Sequence, residues 1–351
     1  VDLDFLYPFF ADKRVVAITG TDGKTTTTTL TGELLATLGP VVVAGNIGVS
    51  PFACFDELRA ADRVVFEVSS FMLEGLRRFR PHVAAILNVA EDHVDRYRSL
   101  DEYGAVKCGI ARHCSPQDVL LLNDDDPRLA RFRPANVAVR RLSRTRRDGV
   151  AACFRDGTFE VGGERYLFAA SALRGQQNEL NVLTALAIAH EEGAEPGAMR
   201  DVLGRFRGLR HRLEHVGCFG GVDAYDDSKA SNVHAVEAAL GNFPANVVLI
   251  LGGRDKGLDF TPLRAHAHRL RRLVCYGEHG ERIRDALDIP GALYRHDFED
   301  AVACAAAECR PGDALVLSPG CTSWDQFPNY EVRGDAFRAL AARHLGSGGR
   351  A

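Results

Sequence analysis

The feature that most constrains the fold is a junction near the start of the chain. Residues 15–19 are a short apolar run rich in β-branched side chains, and it ends at Gly20-Thr21-Asp22-Gly23-Lys24-Thr25. Leu30, Leu34, Leu35 and Leu38 then recur on one helical face until Gly39 and Pro40 interrupt the pattern. A buried strand, a glycine turn and a helix in direct succession form the first half of a strand–helix–strand crossover. Further apolar strand candidates at residues 41–44, 64–68, 83–89 and 119–123 alternate with helical stretches. That alternation predicts an α/β fold with a mostly parallel sheet covered on both faces.

The period changes over residues 151–168 to short alternating strands with glycine turns, which predicts a small antiparallel addition. Residues 179–192 predict a helix with Leu180, Leu183, Leu186, Ala187 and His190 near one face. A second alternating series follows, with strands expected at 222–225, 247–251, 273–276 and 314–317 and a final helix at 335–344. The chain has 351 residues, which suits two domains. We place the boundary at Gly208, giving domains 1–208 and 209–351.

Composition removes several function classes. The formal net charge is -4 with both signs mixed along the chain, so there is no electrostatic reason to expect nucleic acid as a partner. The one basic stretch, residues 140–147, reads as a solvated loop. No apolar run approaches the roughly 20 residues that span a bilayer, and no signal-peptide pattern opens the chain, so no membrane partner is expected. Nine cysteines without a C-x-x-C pair point to free thiols in a reducing compartment rather than to zinc. A cytoplasmic protein is the expectation.

The glycine turn carries the strongest chemical signal. Glycines let backbone N–H groups approach phosphate oxygens, a helix N-terminus adds partial positive charge, Lys24 adds a full one, and Thr25 can ligate Mg²⁺. The turn is shorter than the common G-x-x-x-x-G-K-[ST] form, and the bland reading is a turn with a solvated lysine. Its place between strand and helix favours phosphate. The threonines after Lys24 are poor helix formers, and hydroxyls facing phosphates would account for them. Glu67, in Val64-Val65-Phe66-Glu67-Val68-Ser69-Ser70, sits at a strand end, where a carboxylate suits Mg²⁺ or, more plainly, a salt bridge. Asp92 and His93, in Asn88-Val89-Ala90-Glu91-Asp92-His93, fall just past another strand and could reach a metal or a phosphate.

Together these segments resemble the ordered ATP and metal motifs of the Mur ligase family, along with Gly45-Asn46-Ile47-Gly48 and Glu91-Asp92-His93-Val94-Asp95-Arg96-Tyr97. The resemblance continues through Gly208-Leu209-Arg210-His211-Arg212-Leu213-Glu214, Asp226-Asp227-Ser228-Lys229-Ala230-Ser231-Asn232, Gly252-Gly253-Arg254-Asp255-Lys256-Gly257, and the segment from Ser318 to Phe327. It implies a central P-loop-type ATPase domain followed by a Rossmann-like α/β domain that takes the amino acid, with the active site in the cleft between them. It implies ATP-dependent amide-bond formation through an acyl phosphate, with glutamate, in the D form, added to UDP-N-acetylmuramoyl-L-alanine. ATP and two Mg²⁺ ions are the implied cofactors, and a monomer is the implied state.

Residue by residue, the resemblance assigns Gly20, Thr21, Asp22, Gly23, Lys24, Thr25 and Thr26 to the nucleotide phosphates. Thr25, Glu67, His93 and Lys107 go to the metal ions, with Lys107 carbamylated, although the sequence alone makes Lys107 a surface lysine. Asn46, Ser69, Ser70 and His93 go to the muramoyl substrate or phosphate, and Asn178 and Asn181 to the adenine. Arg212 goes to the phosphates and Asp227 to the ribose. Lys229, Ser231, Lys256, Ser323, Trp324 and Tyr330 go to the incoming glutamate. Lys24, His93, Lys107 and Arg212 are the expected catalytic residues. Departures from the family pattern fall at Gln177, Met72, Trp324 and Tyr330. The family's N-terminal UDP-binding domain is expected to be missing, since only residues 1–14 precede the first strand. Other readings stay open: a ligase that adds L-glutamate or resembles folylpolyglutamate synthase, a small-molecule kinase, or a catalytically silent ligase-like subunit.

Overall fold

The computed structural model describes residues 2–47, 49–90, 96–171, 173, 175–255 and 257–346. His93 and Lys256, both assigned above, lie outside the described residues, as do Gly48, Asp92 and Asp95. The chain forms two compact units, Val1–Arg207 and Gly208–Ala351.

The first unit contains α1 (Asp2–Leu6), β1 (Arg14–Thr19), α2 (Lys24–Leu35), β2 (Val41–Gly45), α3 (Phe55–Ala60), β3 (Arg63–Glu67), α4 (Ser70–Gly75), β4 (Val83–Ile86), α5 (Leu100–Cys108) and β5 (Val119–Asn123). After these come β6 (Ala138–Ser143), β7 (Ala152–Arg155), β8 (Thr158–Val161), β9 (Glu164–Leu167), α6 (Gln176–Glu191) and α7 (Pro196–Arg205). The strands build one nine-stranded sheet in the order β2-β3-β1-β4-β5-β6-β7-β8-β9. Pairing is parallel from β2 through β7 and antiparallel in β7-β8-β9. The chain leaves β1 toward β2 and β3 on one side, while β4 to β6 lie on the other. Strand order therefore reverses at β1, where open α/β sheets place their ligands.

Alternation along β1 explains the two cores. Val16 and Ile18 face Leu30, Leu34 and Leu35 of α2 and the apolar side of α6. Val15 and Ala17 face Leu3, Leu6, Phe10, Leu73 and Phe79. Each face of the sheet is thus dry, as period-two alternation in a covered sheet requires.

Four expectations change. The basic stretch is not a loop at its start: residues 138–143 form β6, paired in parallel with β5. Arg140 and Arg141 lie half-buried along it, Arg140 donating to Glu191 and Arg141 to the carbonyls of Leu129 and Phe132. Long arginine stems can cover apolar surface while their heads find acceptors, which composition alone does not reveal. The helix expected to be amphipathic is instead a core element, with residues 181–189 buried, because α2 and α7 pack on it above the sheet. His190 is its exposed member, lying over Gly162, where a Cβ would come within 2.1 Å of the ring. The fourth strand stops at Ile86 and not at Val89, because the chain turns out of the sheet to hold the glycine turn. Finally, the threonine hydroxyls do not all face phosphate: Thr27 donates to Asn181, Thr29 donates back to the Thr25 carbonyl, and the buried Thr28 hydroxyl has no hydrogen-bond partner.

The second unit contains β10 (Glu214–Phe219), β11 (Val222–Asp226), α8 (Val233–Leu240), β12 (Val247–Gly252), β13 (Leu270–Tyr276), α9 (Gly280–Leu287), β14 (Leu293–Arg295), α10 (Phe298–Glu308), β15 (Ala314–Gly320) and α11 (Tyr330–Gly346). Its sheet runs β10-β11-β15-β12-β13-β14, parallel except for β10. Strand order reverses between β12 and β15. The final helix begins five residues before the expected start, at Tyr330, because the Asn329 side chain accepts from the Val332 amide in the manner of an N-cap.

All nine cysteines are free. Burial pushes the thiols of Cys114, Cys275 and Cys321 up to about 12, so they behave as core side chains. Among the described residues no helix is long and apolar enough to cross a membrane.

Candidate active site

In the first unit the site is built around the turn after β1. Gly23 adopts φ 81° and precedes α2, and no side chain caps that helix. A helix N-terminus with no side-chain cap holds N–H donors suited to an anion. The turn is held from below by Asn88, just past β4. Its Oδ1 accepts from the amides of Thr21 and Asp22, each at 2.9 Å, and its Nδ2 donates to the Asp22 carbonyl. The Thr21 hydroxyl is fixed by the Ala90 backbone. Asn181 presses against Gly23, where a Cβ would meet its Oδ1 at 2.0 Å, and the same oxygen accepts from Thr27. Asn181 is buried, and it donates to Asn178. It therefore supports the phosphate turn, while the half-buried Asn178 is the more accessible of the two.

Two lysines converge on this turn. Lys24 Nζ donates to the carbonyls of Gly20 at 3.0 Å and Thr21 at 2.7 Å. Lys107 Nζ, from α5, donates to the same Gly20 carbonyl at 2.8 Å and stands 4.3 Å from the Tyr103 ring centre. Lys107 is 1% exposed, so the surface reading is wrong; α5 carries it inward beneath the turn. Two ammonium groups on one carbonyl oxygen make a strongly cationic point, which an anionic ligand relieves.

Glu67 ends β3 beside β1. Its Oε1 accepts from Asn46 Nδ2 at 3.1 Å, while Oε2 is buried with no hydrogen-bond partner. An orphaned carboxylate oxygen beside a phosphate turn fits a hard divalent cation, with the Thr25 hydroxyl in the first turn of α2 as a second oxygen donor. Ser69 caps α4 by accepting from the Met72 amide, and Ser70 is buried.

In the second unit those of the expected residues that the structure describes lie on the side of the sheet where its parallel strands end. His211, in a left-handed conformation (φ 63°), pairs with buried Asp226 at 2.7 Å, and its amide donates to Glu214. These three could hold an ion by proximity, but their ligand atoms are hydrogen-bonded to one another and to neighbouring groups. Asp227 accepts from the Leu213 amide and from Ser318. Each of its oxygens keeps a second lone pair, which is what a ribose hydroxyl would use. Arg212 is exposed on the same turn. Lys229 donates to the Tyr330 hydroxyl at 3.2 Å, and Ser231 is half-buried two residues on. Burial, then Glu331, pushes the Tyr330 phenol up to about 12, so it stays neutral. Ser323 is buried in the turn after β15, while Trp324 beside it is 65% exposed.

Asn88 and the His211–Asp226 pair were missed by the sequence reading. Asn88 was accessible to it, as the first polar residue after a strand that flanks β1. The pair depends on a contact between residues 15 positions apart, which no local pattern announces.

Burial raises the Asp227 carboxyl from 3.8 to about 7, with Asp226 adding to the rise while Ser318, the Leu213 amide and Arg212 oppose it. Folding therefore favours its protonated form. The stability it contributes is complete below about pH 3.8 and is lost as pH rises through about 7. Asp227→Asn keeps the acceptor for Leu213 and does not titrate. Thermal unfolding should show wild type losing ground to Asp227→Asn between about pH 4 and about pH 7. A difference that stays flat across that range would contradict the assignment.

A sheet whose first strand runs into a Gly-Lys-Thr turn and an uncapped helix, with two lysines and an orphaned carboxylate at its reversal point, defines a nucleotide-phosphate-handling domain. The Mur ligase middle domain matches residues 18–189, and the Mur ligase glutamate ligase domain matches residues 211–321. The UDP-N-acetylmuramoylalanine–D-glutamate ligase of Geotalea uraniireducens (strain Rf4) is 41% identical over 340 residues, covering 94% of this chain and 75% of that protein. The ligase of the same name from Salinibacter ruber (strain DSM 13855 / M31) is 41% identical over 354 residues, covering 95% and 76%. Among solved structures, MurF from Acinetobacter baumannii aligns with a TM-score of 0.73 at 18% identity, covering 97% of this chain and 79% of that one. MurF ligase from Thermotoga maritima in complex with ADP aligns at 0.71 and 18%, covering 98% and 82%. The chain belongs to the Mur ligase family.

Proposed function

We propose that this chain joins D-glutamate to UDP-N-acetylmuramoyl-L-alanine at the expense of ATP, in peptidoglycan precursor synthesis. The observation that carries the chemistry is the convergence of Lys24 and Lys107 on the Gly20 carbonyl, at the head of a phosphate turn. The substrates follow from the named activity of relatives that are 41% identical to it over the aligned residues, which run across both units.

The reaction needs charge clamps and alignment more than covalent help. The substrate carboxylate attacks the terminal phosphorus of ATP, and ADP leaves as an acyl phosphate forms. The neutral amine of D-glutamate then attacks the acyl carbon, and the tetrahedral intermediate expels phosphate. Lys24 and the α2 N-terminus neutralise charge on the transferring phosphoryl group. Glu67 and Thr25 would hold Mg²⁺, which would neutralise phosphate charge when bound. Asn46 orients Glu67 and faces solvent, where a muramoyl or phosphate oxygen can reach it.

Lys107 as a carbamate would keep an N–H for the Gly20 carbonyl while turning a second cation into an oxygen donor. His93 would serve a second metal ion. Asn178 would face the adenine, Arg212 the phosphates and Asp227 the ribose. Lys229, Ser231, Lys256, Ser323, Trp324 and Tyr330 would surround the glutamate, with cations on its carboxylates. We assign the enzyme to the cytoplasm, where ATP is available, and to a monomeric state.

The test is release of ADP and phosphate from ATP with UDP-N-acetylmuramoyl-L-alanine and Mg²⁺, with D-glutamate, L-glutamate or no amino acid, followed by product mass. Release that depends on D-glutamate, with one added glutamyl residue, is expected. ADP formed without phosphate would indicate a kinase, and release with L-glutamate alone would reassign the amino acid.

A further inference from the structure

A buried cation lies under the amino-acid end of the second unit with no role in the scheme above. Arg333, in the first turn of α11, is 1% exposed. Its five N–H donors are all directed at neutral acceptors. Nε donates to Ser228 Oγ at 2.9 Å and Nη2 to the Ser228 carbonyl at 2.6 Å. Nη1 donates to the Tyr276 hydroxyl at 3.1 Å, and both terminal nitrogens donate to the Cys321 carbonyl at 3.2 Å. Among the described residues no carboxylate forms an ion pair with it. Gly253 also lies beside it: a Cβ there would stand 3.4 Å from Nη1, though its closest approach, 2.5 Å, would be to the Thr322 carbonyl oxygen.

Those contacts have a pattern. Ser228 follows β11, Cys321 follows β15, Gly253 follows β12 and Tyr276 ends β13. One guanidinium thus lies across the carboxyl ends of four adjacent strands, over the point between β12 and β15 where strand order reverses. Ser228 immediately precedes Lys229, and Cys321 lies two residues before Ser323. The next residue, Gly334, packs so closely on the His211–Asp226 pair that a Cβ would stand 2.1 Å from His211 Nδ1. An unneutralised buried cation is costly to fold and is a weak source of stability. Its field acts on whatever anion sits above these loops.

We propose that Arg333 is a positioning residue for the amino-acid substrate: it locks the turns that carry Lys229 and Ser323 and supplies the positive potential that selects a dicarboxylic amino acid. The inference rests on the glutamate-ligase reading above. It places Arg333 in the second half-reaction only, since its contacts lie wholly within the second unit.

The test compares Arg333→Gln, which removes the charge, with Arg333→Lys, which keeps it. Acyl-phosphate formation without amino acid, KM for each substrate, and thermal unfolding are measured for both in the full chain. Arg333→Gln should raise KM for D-glutamate by about tenfold to a hundredfold and narrow its preference over D-glutamine, with acyl-phosphate formation and KM for ATP within about twofold. Arg333→Lys should recover part of that loss. Tyr276→Phe deletes one acceptor and leaves the charge, so it should raise the same KM by about threefold even if Arg333→Gln does not fold. A lowered melting temperature with unchanged KM for D-glutamate, or KM values for all substrates moving together, would overturn the proposal. If wild type shows no D-glutamate-dependent release at all, the functional reading falls and this inference with it.

Discussion

Lys24→Met should leave a folded protein that releases ADP about a thousandfold more slowly than wild type, the upper range for removing one electrostatic clamp from a transition state. The side chain keeps its length and apolar stem and loses only its charge. In the structure that charge is spent on two backbone carbonyls of the turn, at 3.0 and 2.7 Å. Those bonds stabilise little, because the Gly20 carbonyl keeps Lys107 as a donor and Thr21 is only half-buried. Their geometric effect is to hold the ammonium against the turn, where the proposed reaction would develop phosphate charge. Melting temperature should therefore move little while turnover collapses. Lys24→Arg should rescue poorly, since a planar fork cannot replace a compact ammonium in a turn this short. A stopped assay of ADP and phosphate decides the matter, and activity within about tenfold of wild type would remove Lys24 from the clamp.

Much of the fold could be read because its signals are local. The strands at residues 14–19, 41–45, 119–123 and 247–252 are apolar runs closed by glycine or polar residues, and each was expected within a residue or so. The elements that escaped detection lack such signals. Strand β6 carries two adjacent arginines, and β10 interrupts its alternation with Gly217 and an irregular register. Their extended conformation comes from pairing partners, which no window of sequence contains. The early start of α11 was different, because Asn329 is an ordinary capping residue three positions before Val332 and was overlooked.

The site divides in the same way. Lys24, Thr25 and Glu67 were legible because strand ends and helix starts fix where such side chains point. Lys107 was placed only by the family resemblance, since a single lysine in a weakly patterned helix looks solvated. Only the packing of α5 against the turn shows that it is buried. Arg333 gives the sharpest case. Nothing around it in Tyr330-Glu331-Val332-Arg333-Gly334 suggests burial, and its partners come from segments 12, 57 and 105 residues away. Local sequence reports where a chain can turn; it does not report which distant carbonyls will converge on a guanidinium.

Gly45→Ala should damage both stability and catalysis, for a reason confined to two strands. Gly45 ends β2 with φ 108°, in register with Glu67 of β3. A Cβ would stand 2.3 Å from the Glu67 carbonyl oxygen, and that oxygen already accepts from the Asn46 amide. Backbone cannot swing aside as a side chain can, so the strands must part. Parting them breaks the Asn46–Glu67 contacts and shifts the orphaned carboxylate oxygen proposed for Mg²⁺. Left-handed strain alone costs about 1–2 kcal/mol, and forced repacking adds about 1–3 kcal/mol. Gly163→Ala is the matched control: its φ is 83°, but no atom lies within 4 Å of the added Cβ, so only the strain should appear. Chemical denaturation should rank wild type above Gly163→Ala and Gly163→Ala above Gly45→Ala. The Mg²⁺ dependence of ADP release should shift for Gly45→Ala alone. If both variants lose the same stability and neither alters Mg²⁺ dependence, close approach at Gly45 does not set the Glu67 site.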